Sequence, residues 1–531
     1  MNRMIRASFA ALVLAAAPVL TSNAQTSGEL KVKAKMDFNL NADNDRTPLS
    51  ICKSGPRAVM VFRGYDATKG PEKFVDLPPL LQQYERDKML PLRKLEPNMK
   101  GGKWKLALEA VQPMGGKLML VATSTDTLDG AVQLLVSQLD ADLTKLNGPF
   151  TQLCRFEHMR KPPKKFREAL NGIPYGLHTA LSPDSTKLLA WTPELVGEEV
   201  RTKHVFIAID KDMQLLWYDV LKSNADAATT QVLAAAIDND GRATAVVTSR
   251  VGEHKYRNAE YVYTSKVVQI TEEGVKEMDW APAEGQYAVD ARMIPQKDGS
   301  IACAGVYGVS ESKRVHLTPG MYIATFAPGM SEAPKGTAHA FAMDGKVSDM
   351  HTDAFVAKSA GYYLVTEQLT LKWPPIPSNS PESAYEAVTP IRFNNDVFAL
   401  NLGADGALLW QTRFARNMKG TEENSGHVLA GQYEDQLFLL MLDEEANLDL
   451  RKKNQALEPK PIKSALTTFT TFDEQGKFKS KTVRTGEYFD AVQGTELYRI
   501  GNSEYVAFGA EDPGTNKAVP LQLVLVKSVG K

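Results

Sequence analysis

Three cysteines in 531 residues, Cys52, Cys154 and Cys303, are too few and too widely spaced for a disulfide framework, a CxxC redox pair or a zinc cluster. A single disulfide stays open in an oxidising compartment, with at least one thiol left over. Charge of one sign is also missing. Lys and Arg number 62 against 63 Asp and Glu, which argues against nucleic acid or a strongly anionic surface as main partner. Beyond the N-terminus no apolar run approaches the ~18 residues of a membrane span. The chain carries no HExxH, GxSxG, GxxxxGKS or GxGxxG stretch, so its motifs assign neither a cofactor nor a metal. Amphipathic helical stretches between strands are scarce, which argues against a parallel α/β fold.

The first residues read as a secretory signal. Arg3 and Arg6 precede an apolar stretch from Ala7 to Leu20, and Ser22 and Ala24 stand at −3 and −1 of a cut before Gln25. The expectation is a leader over residues 1–24 and one domain over 25–531, located in the periplasm or outside the cell.

Two hairpin signals alternate along that domain. The first is an apolar strand, an Asp/Gly turn and a second strand. It occurs seven times, around Asp87, Asp140, Asp210, Gly274, Gly329, Gly406 and Gly476. The second lies between these and occurs eight times, near Gly55, Gly116, Ser185, Gly241, Gly299, Gly361, Asp435 and Asn502. Its spacing of roughly 55 to 75 residues fits one four-stranded blade plus loops. The fold expected is all-β, a single β-propeller of about eight four-stranded blades, with seven the alternative. The last repeat lacks an outer strand, and "ELKVKAKMDFNL" near residue 30 is expected to supply it and close the ring.

The segments "AIDKDMQLLWYD" and "ALNLGADGALLWQ" resemble repeats of the pyrroloquinoline quinone-type propellers. That resemblance implies eight blades, with Trp217, Trp410 and approximately Trp280 docking between them. The quinone enzymes of that superfamily use adjacent cysteines and a calcium-bound cofactor. This chain has no adjacent cysteines and departs from them there. Scaffolding members, the outer-membrane assembly lipoproteins among them, keep the repeat without the cofactor; this chain also lacks their anchor cysteine.

Propeller ligands sit at the channel mouth, so polar residues ahead of the second-type turns are the site candidates. These are His178, Asp290, His351, Asp353, His427 and Asp490. Histidines and carboxylates converging from several blades suit metal binding or substrate polarisation, though hydrogen-bonded structural groups are the commoner outcome. Their distances to the following turn differ, so they need not be level in the channel. The Pro-rich insertion from Leu371 to Ala387 offers Trp373 and Tyr385 as recognition aromatics, against a plain packing role for the Trp. "DNDG" at Asp238–Gly241 lacks the remaining ligands of a calcium loop and reads as a turn. The basic run from His158 to Arg167 reads as a solvated linker. The function expected is non-enzymatic binding or scaffolding, with a cell-envelope or extracellular protein or glycan as partner. The alternative is a hydrolase or lyase with its site at the channel mouth.

Overall fold

The computed structural model describes residues 30–35, 47–55, 57–64, 78–101, 104–126, 128–140, 143, 148–157, 172–192, 203–222, 227–251, 262–312, 315–343, 347–372, 391–420, 428–443, 447, 450–451, 460–461, 466–485, 488–489, 491–510 and 519–527. The sequence-predicted leader, His427, Asp490, Trp373, Tyr385 and the basic run at 158–167 lie outside the described residues. No described helix is long and apolar enough to cross a membrane.

The described residues form ten sheets, of which two are short two-stranded ribbons and eight are each built around an antiparallel four-stranded meander, in chain order. Blade 1 holds Thr47–Lys53, Ala58–Gly64, Leu80–Glu85 and Pro91–Leu95. Blade 2 holds Ala107–Met114, Lys117–Thr125, Val132–Leu139 and Thr151–Phe156. Blade 3 holds His178–Leu181, Lys187–Trp191, Lys203–Asp210 and Leu215–Lys222. Blade 4 holds Ala227–Ile237, Ala243–Val251, Val262–Thr271 and Gly274–Asp279. In blade 5 the first strand is split into Gln286–Ala288 and Arg292–Pro295, followed by Ile301–Ser312, Val315–Phe326 and Lys335–Ala340. Blade 6 holds Met350–Lys358, Gly361–Lys372, Ile391–Leu402 and Leu408–Phe414. Blade 7 holds Leu429–Tyr433, Gln436–Asp443, Leu466–Phe472 and Phe478–Thr482. Blade 8 takes Ala491–Arg499, Glu504–Ala510 and Val519–Lys527 from the C-terminal end and Leu30–Lys35 from the N-terminal end.

That last pairing explains the unequal hairpin counts. The seven first-type turns join third to fourth strands within blades 1–7, and the eight second-type turns join first to second strands in every blade. In blade 8 the third and fourth strands come from opposite ends of the chain. They pair antiparallel from Leu30 opposite Lys527 to Lys35 opposite Gln522, with Leu30 buried and Lys31 exposed. The closure leaves the strand Val519–Lys527 without a bare edge.

No single central core exists among the described residues. Eight apolar clusters each lie between neighbouring blades. The middle strands are continuous apolar runs buried on both faces, such as Leu118–Ala122 in blade 2 and Leu437–Leu442 in blade 7. Each large aliphatic side chain so buried contributes about 1.5–3 kcal/mol, so the interfaces dominate the ring's stability. The tryptophans seal them. Trp217 donates its indole N–H to the Gly241 carbonyl of the next blade at 2.7 Å. Trp280 packs edge-on against Tyr322 and Phe326, and Trp410 stacks on Phe472, each in the following blade. Cys154 and Cys303 are buried thiols in different blades, both pushed up to about 12 by burial, and form no disulfide.

Comparing residues 25–531 with residues 36–531 tests the closure. The shorter chain is expected to melt at lower temperature and to associate with rising concentration, because it bares the edge of Val519–Lys527. Equal melting of two monomeric forms would show the strand to be dispensable.

Candidate functional site

First and third strands begin, and second strands end, on one face of the disc, opposite the tight hairpins. There the inner strands converge. Each has one ladder edge with no strand beside it, so its backbone polar groups need other partners. Side chains of neighbouring blades provide them. The peptide of Ala288 receives Thr248 Oγ1 on its carbonyl at 2.8 Å and gives its N–H to Ser265 Oγ at 2.9 Å. His204 Nε2 donates to the Thr230 carbonyl at 2.9 Å. Gln112 Nε2 donates to Thr179 Oγ1 at 3.0 Å, joining the inner strands of blades 2 and 3.

Two acidic residues serve the same need from β-bulges. Glu109 interrupts the register between Leu108 and Ala110 in blade 2. Its buried carboxylate accepts the N–H groups of Tyr175, Gly176 and Leu177, which lead into blade 3, and the hydroxyl of Thr123. Burial pushes this carboxyl up, and those hydrogen bonds pull it back. Asp290 occupies the break in the blade 5 inner strand, where Val289 and Asp290 both donate to the Val306 carbonyl. Its Oδ2 accepts the Thr352 N–H of blade 6 at 2.6 Å, while Arg292 Nη2 donates to the Thr352 carbonyl at 3.1 Å. Gly305 makes the break possible, because a Cβ there would lie 2.0 Å from the Asp290 carbonyl oxygen. Asp290, read from the sequence as a ligand candidate, spends its carboxylate on backbone.

His178 opens the inner strand of blade 3 and stacks on Trp191, ring centroids 5.4 Å apart at 20°. The residue is exposed overall, with one face of its ring covered by the Trp191 indole. Desolvation there lowers its pKa, and the charge of Arg292 from blade 5 adds in the same direction.

His351 and Asp353 of blade 6 are brought together, with Nε2 3.1 Å from Asp353 Oδ1. Asp353 sits in another bulge, between Thr352 and Ala354, two residues from His351 on the same strand. The strand register places Glu367 opposite His351, with Oε2 3.7 Å from Nε2. Glu367 is fully buried; its Oε1 receives Asn394 Nδ2 at 2.8 Å and the guanidinium of Arg416. Burial drives Arg416 down to about 10, against the attraction of Asp443 and Asp353, so it stays charged at neutral pH. Arg451 then ties Asp443 at 2.6 Å and lies 3.8 Å over the Phe414 ring.

Between blades 4 and 5 the same face carries an aromatic group that the sequence reading missed. Tyr263 stacks on Tyr287 at 4.5 Å and 11°, with His316 edge-on to Tyr263 at 4.7 Å. Gly308 leaves room for the Tyr287 ring, which a Cβ would approach to 2.3 Å. Tyr263 and His316 are half-buried, and Ser310 Oγ lies 3.0 Å from His316 Nδ1. Glu367 and Arg416 were also missed; the legible signal was a lone charge inside an apolar strand, as in "YLVTEQLTL".

The sequence matches no described protein family and no curated protein. Solved propellers resemble the chain in architecture. The propeller domain of a trilobed protease from Pyrococcus furiosus is 10% identical at a TM-score of 0.33, over 81% of this chain and 97% of that one. A quinohemoprotein alcohol dehydrogenase from Pseudomonas putida is 10% identical at 0.42, over 96% and 78%. The periplasmic gluconolactonase of Pseudomonas aeruginosa is 12% identical at 0.33, over 83% and 99%. At these levels none assigns a role to any residue here.

Two outcomes are expected. Gly305→Ala should destabilise the fold by about 1–3 kcal/mol or more in denaturant titration, since the added methyl overlaps the Asp290 carbonyl. An unchanged midpoint would refute the close approach. His178, with a pKa below its ordinary value, contributes stability that is complete above pH ~6.5 and lost as pH falls toward its folded pKa. Arg292→Gln should therefore raise the His178 pKa in histidine-labelled NMR titration and shrink that acid-side loss; an unmoved pKa would show the two are uncoupled.

Proposed function

We propose that this chain is an exported, non-enzymatic binding propeller of the periplasm or extracellular space. Its ligand, a glycan or a protein of the cell envelope, docks over the loop-bearing face between blades 3 and 6. The observation that carries this reading is the Tyr263–Tyr287–His316 group, with Tyr287 buried and Tyr263 and His316 half-buried, together with His178 and Arg292, which lie close enough for the charge of one to act on the other. Rigid aromatic rings give contact area at little entropic cost, and the neighbouring donors orient a polar ligand. The carboxylates of Glu109 and Asp290 are committed to backbone N–H groups, so they act as structure here rather than as acid or base.

The reading extends the sequence expectation, which placed recognition at the channel mouth. Among the described residues, the hydrolase or lyase alternative is best served by the His351–Asp353–Glu367 group; His427 and Asp490 lie outside them. A test is titration of purified protein with envelope polysaccharides and with periplasmic and outer-membrane fractions, by calorimetry and affinity electrophoresis. Tyr263→Ala and Arg292→Ala should each weaken the complex about tenfold or more, while Tyr218→Ala on an outer strand should not. Wild-type affinity in both mouth variants would reject this face, and chemical turnover of a bound glycan would favour the enzymatic alternative.

A further inference from the structure

We infer that His351, Asp353 and Glu367 form a site for one first-row divalent metal ion, with zinc the best fit. The three donor atoms lie within 4.8 Å of one another. Two of the separations are 3.1 Å and 3.7 Å, both from His351 Nε2. A tetrahedral ion with bonds of about 2.0–2.2 Å holds its ligands about 3.3–3.6 Å apart, so the cluster is close to the required spacing before any ion enters.

A compact His/Asp/Glu group is not by itself a site, and the state of Glu367 supplies the second observation. Its side chain is fully buried, and Oε2 accepts no hydrogen bond. A buried carboxylate oxygen without a donor is costly unless something cationic completes it. The other oxygen is held by Asn394 and Arg416, which fix the carboxylate plane and turn Oε2 toward His351. Outer-shell partners orient metal-ligating carboxylates in this way. Asp353 stands two residues from His351 on the same strand, so ordinary alternation sets both side chains on one face.

One imidazole and two carboxylates favour a borderline ion over calcium or magnesium, which prefer all-oxygen shells. Asp353 is nearly covered while His351 is about a quarter exposed, at 3% and 24%, so any remaining coordination position faces the histidine side. The sequence reading named His351 and Asp353 among residues suited to metal binding, assigned no metal, and did not include Glu367. Glu367 lies sixteen residues beyond His351 and faces it only through the strand register. The inference is independent of what the Tyr263 group binds.

The test uses untagged mature chain, residues 25–531. Elemental mass spectrometry should find about one zinc or similar ion per chain. EDTA-stripped protein should regain melting temperature on adding zinc sulfate. His351→Ala and Asp353→Asn should each weaken zinc binding by more than the roughly 10–100-fold that loss of an outer-shell partner costs. The stripped His351→Ala chain should still melt near the stripped parent, and His339→Gln, a histidine outside the cluster, should bind zinc normally. A purified chain free of metal whose melting is insensitive to zinc overturns the inference. So does a His351→Ala variant that melts lower than its parent by the same margin with and without zinc, the signature of an imidazolium simply bridging two carboxylates. Equal loss of binding in His339→Gln would assign the zinc to scattered surface histidines.

Discussion

An inner strand with a partner on only one side is the constraint from which most of this molecule's polar architecture follows. In an ordinary sheet the bare edge of such a strand faces water or another strand. Here eight of them crowd a channel, and backbone groups removed from water need specific partners. The chain answers with side chains reaching from blade to blade: Ser265 and Thr248 on Ala288, His204 on Thr230, Glu109 on three successive amides, and Asp290 with Arg292 on Thr352. Each interaction fixes a neighbour's height as well as its edge. The result sets how one blade sits against the next.

The apolar interfaces set the energy scale against which those polar ties act. With eight separate cores, no blade is stable by its own packing, since each sheet buries its faces only when both neighbours are present. The strand Leu30–Lys35 therefore does more than cover an edge. It places Leu30 in the cluster between blades 7 and 8, so closing the ring also completes a core. Polar ties worth about 0.5–1.5 kcal/mol each could not hold such a ring alone. They select one register among the many that apolar packing would accept.

Much of this was legible from residues. Turn chemistry marked fifteen of the sixteen hairpin positions, because tight turns demand positive φ; Gly55, Ser185, Gly241, Gly299 and Asp435 adopt it. The sixteenth is split between chain ends, and the missing outer strand pointed to it. Docking of Trp217, Trp280 and Trp410 on the following blade was legible through the repeat. The polar site was legible only in part. His351 and Asp353 were named and do meet, and Asp290, also named, accepts the backbone N–H groups of Ala291 and Thr352. Spacing to the next turn misleads because bulges at Asp290 and Asp353 insert residues without lengthening the strand. Glu367 and Tyr263 lie on second and third strands, and only the register between strands brings them to first-strand residues.

The two faces of the disc differ in what their side chains are free to do. On the hairpin face, donors from one blade end on turn carbonyls of the next: Trp217 on Gly241, His339 on Gly406, Tyr363 on Asp435 and Thr412 on Gly476. Those contacts join backbone that tight turns have already fixed. On the opposite face Glu109 of blade 2, Asp290 of blade 5 and Asp353 of blade 6 stand where inner strands are broken or bulged. A bulge costs ladder hydrogen bonds, and three acidic residues stand at such breaks. Glu109 and Asp290 recover the loss by binding the next blade. Asp353 instead turns to His351 within its own blade, beside a buried Glu367 whose second oxygen accepts no hydrogen bond. Three bulged acids thus share one backbone device put to two uses.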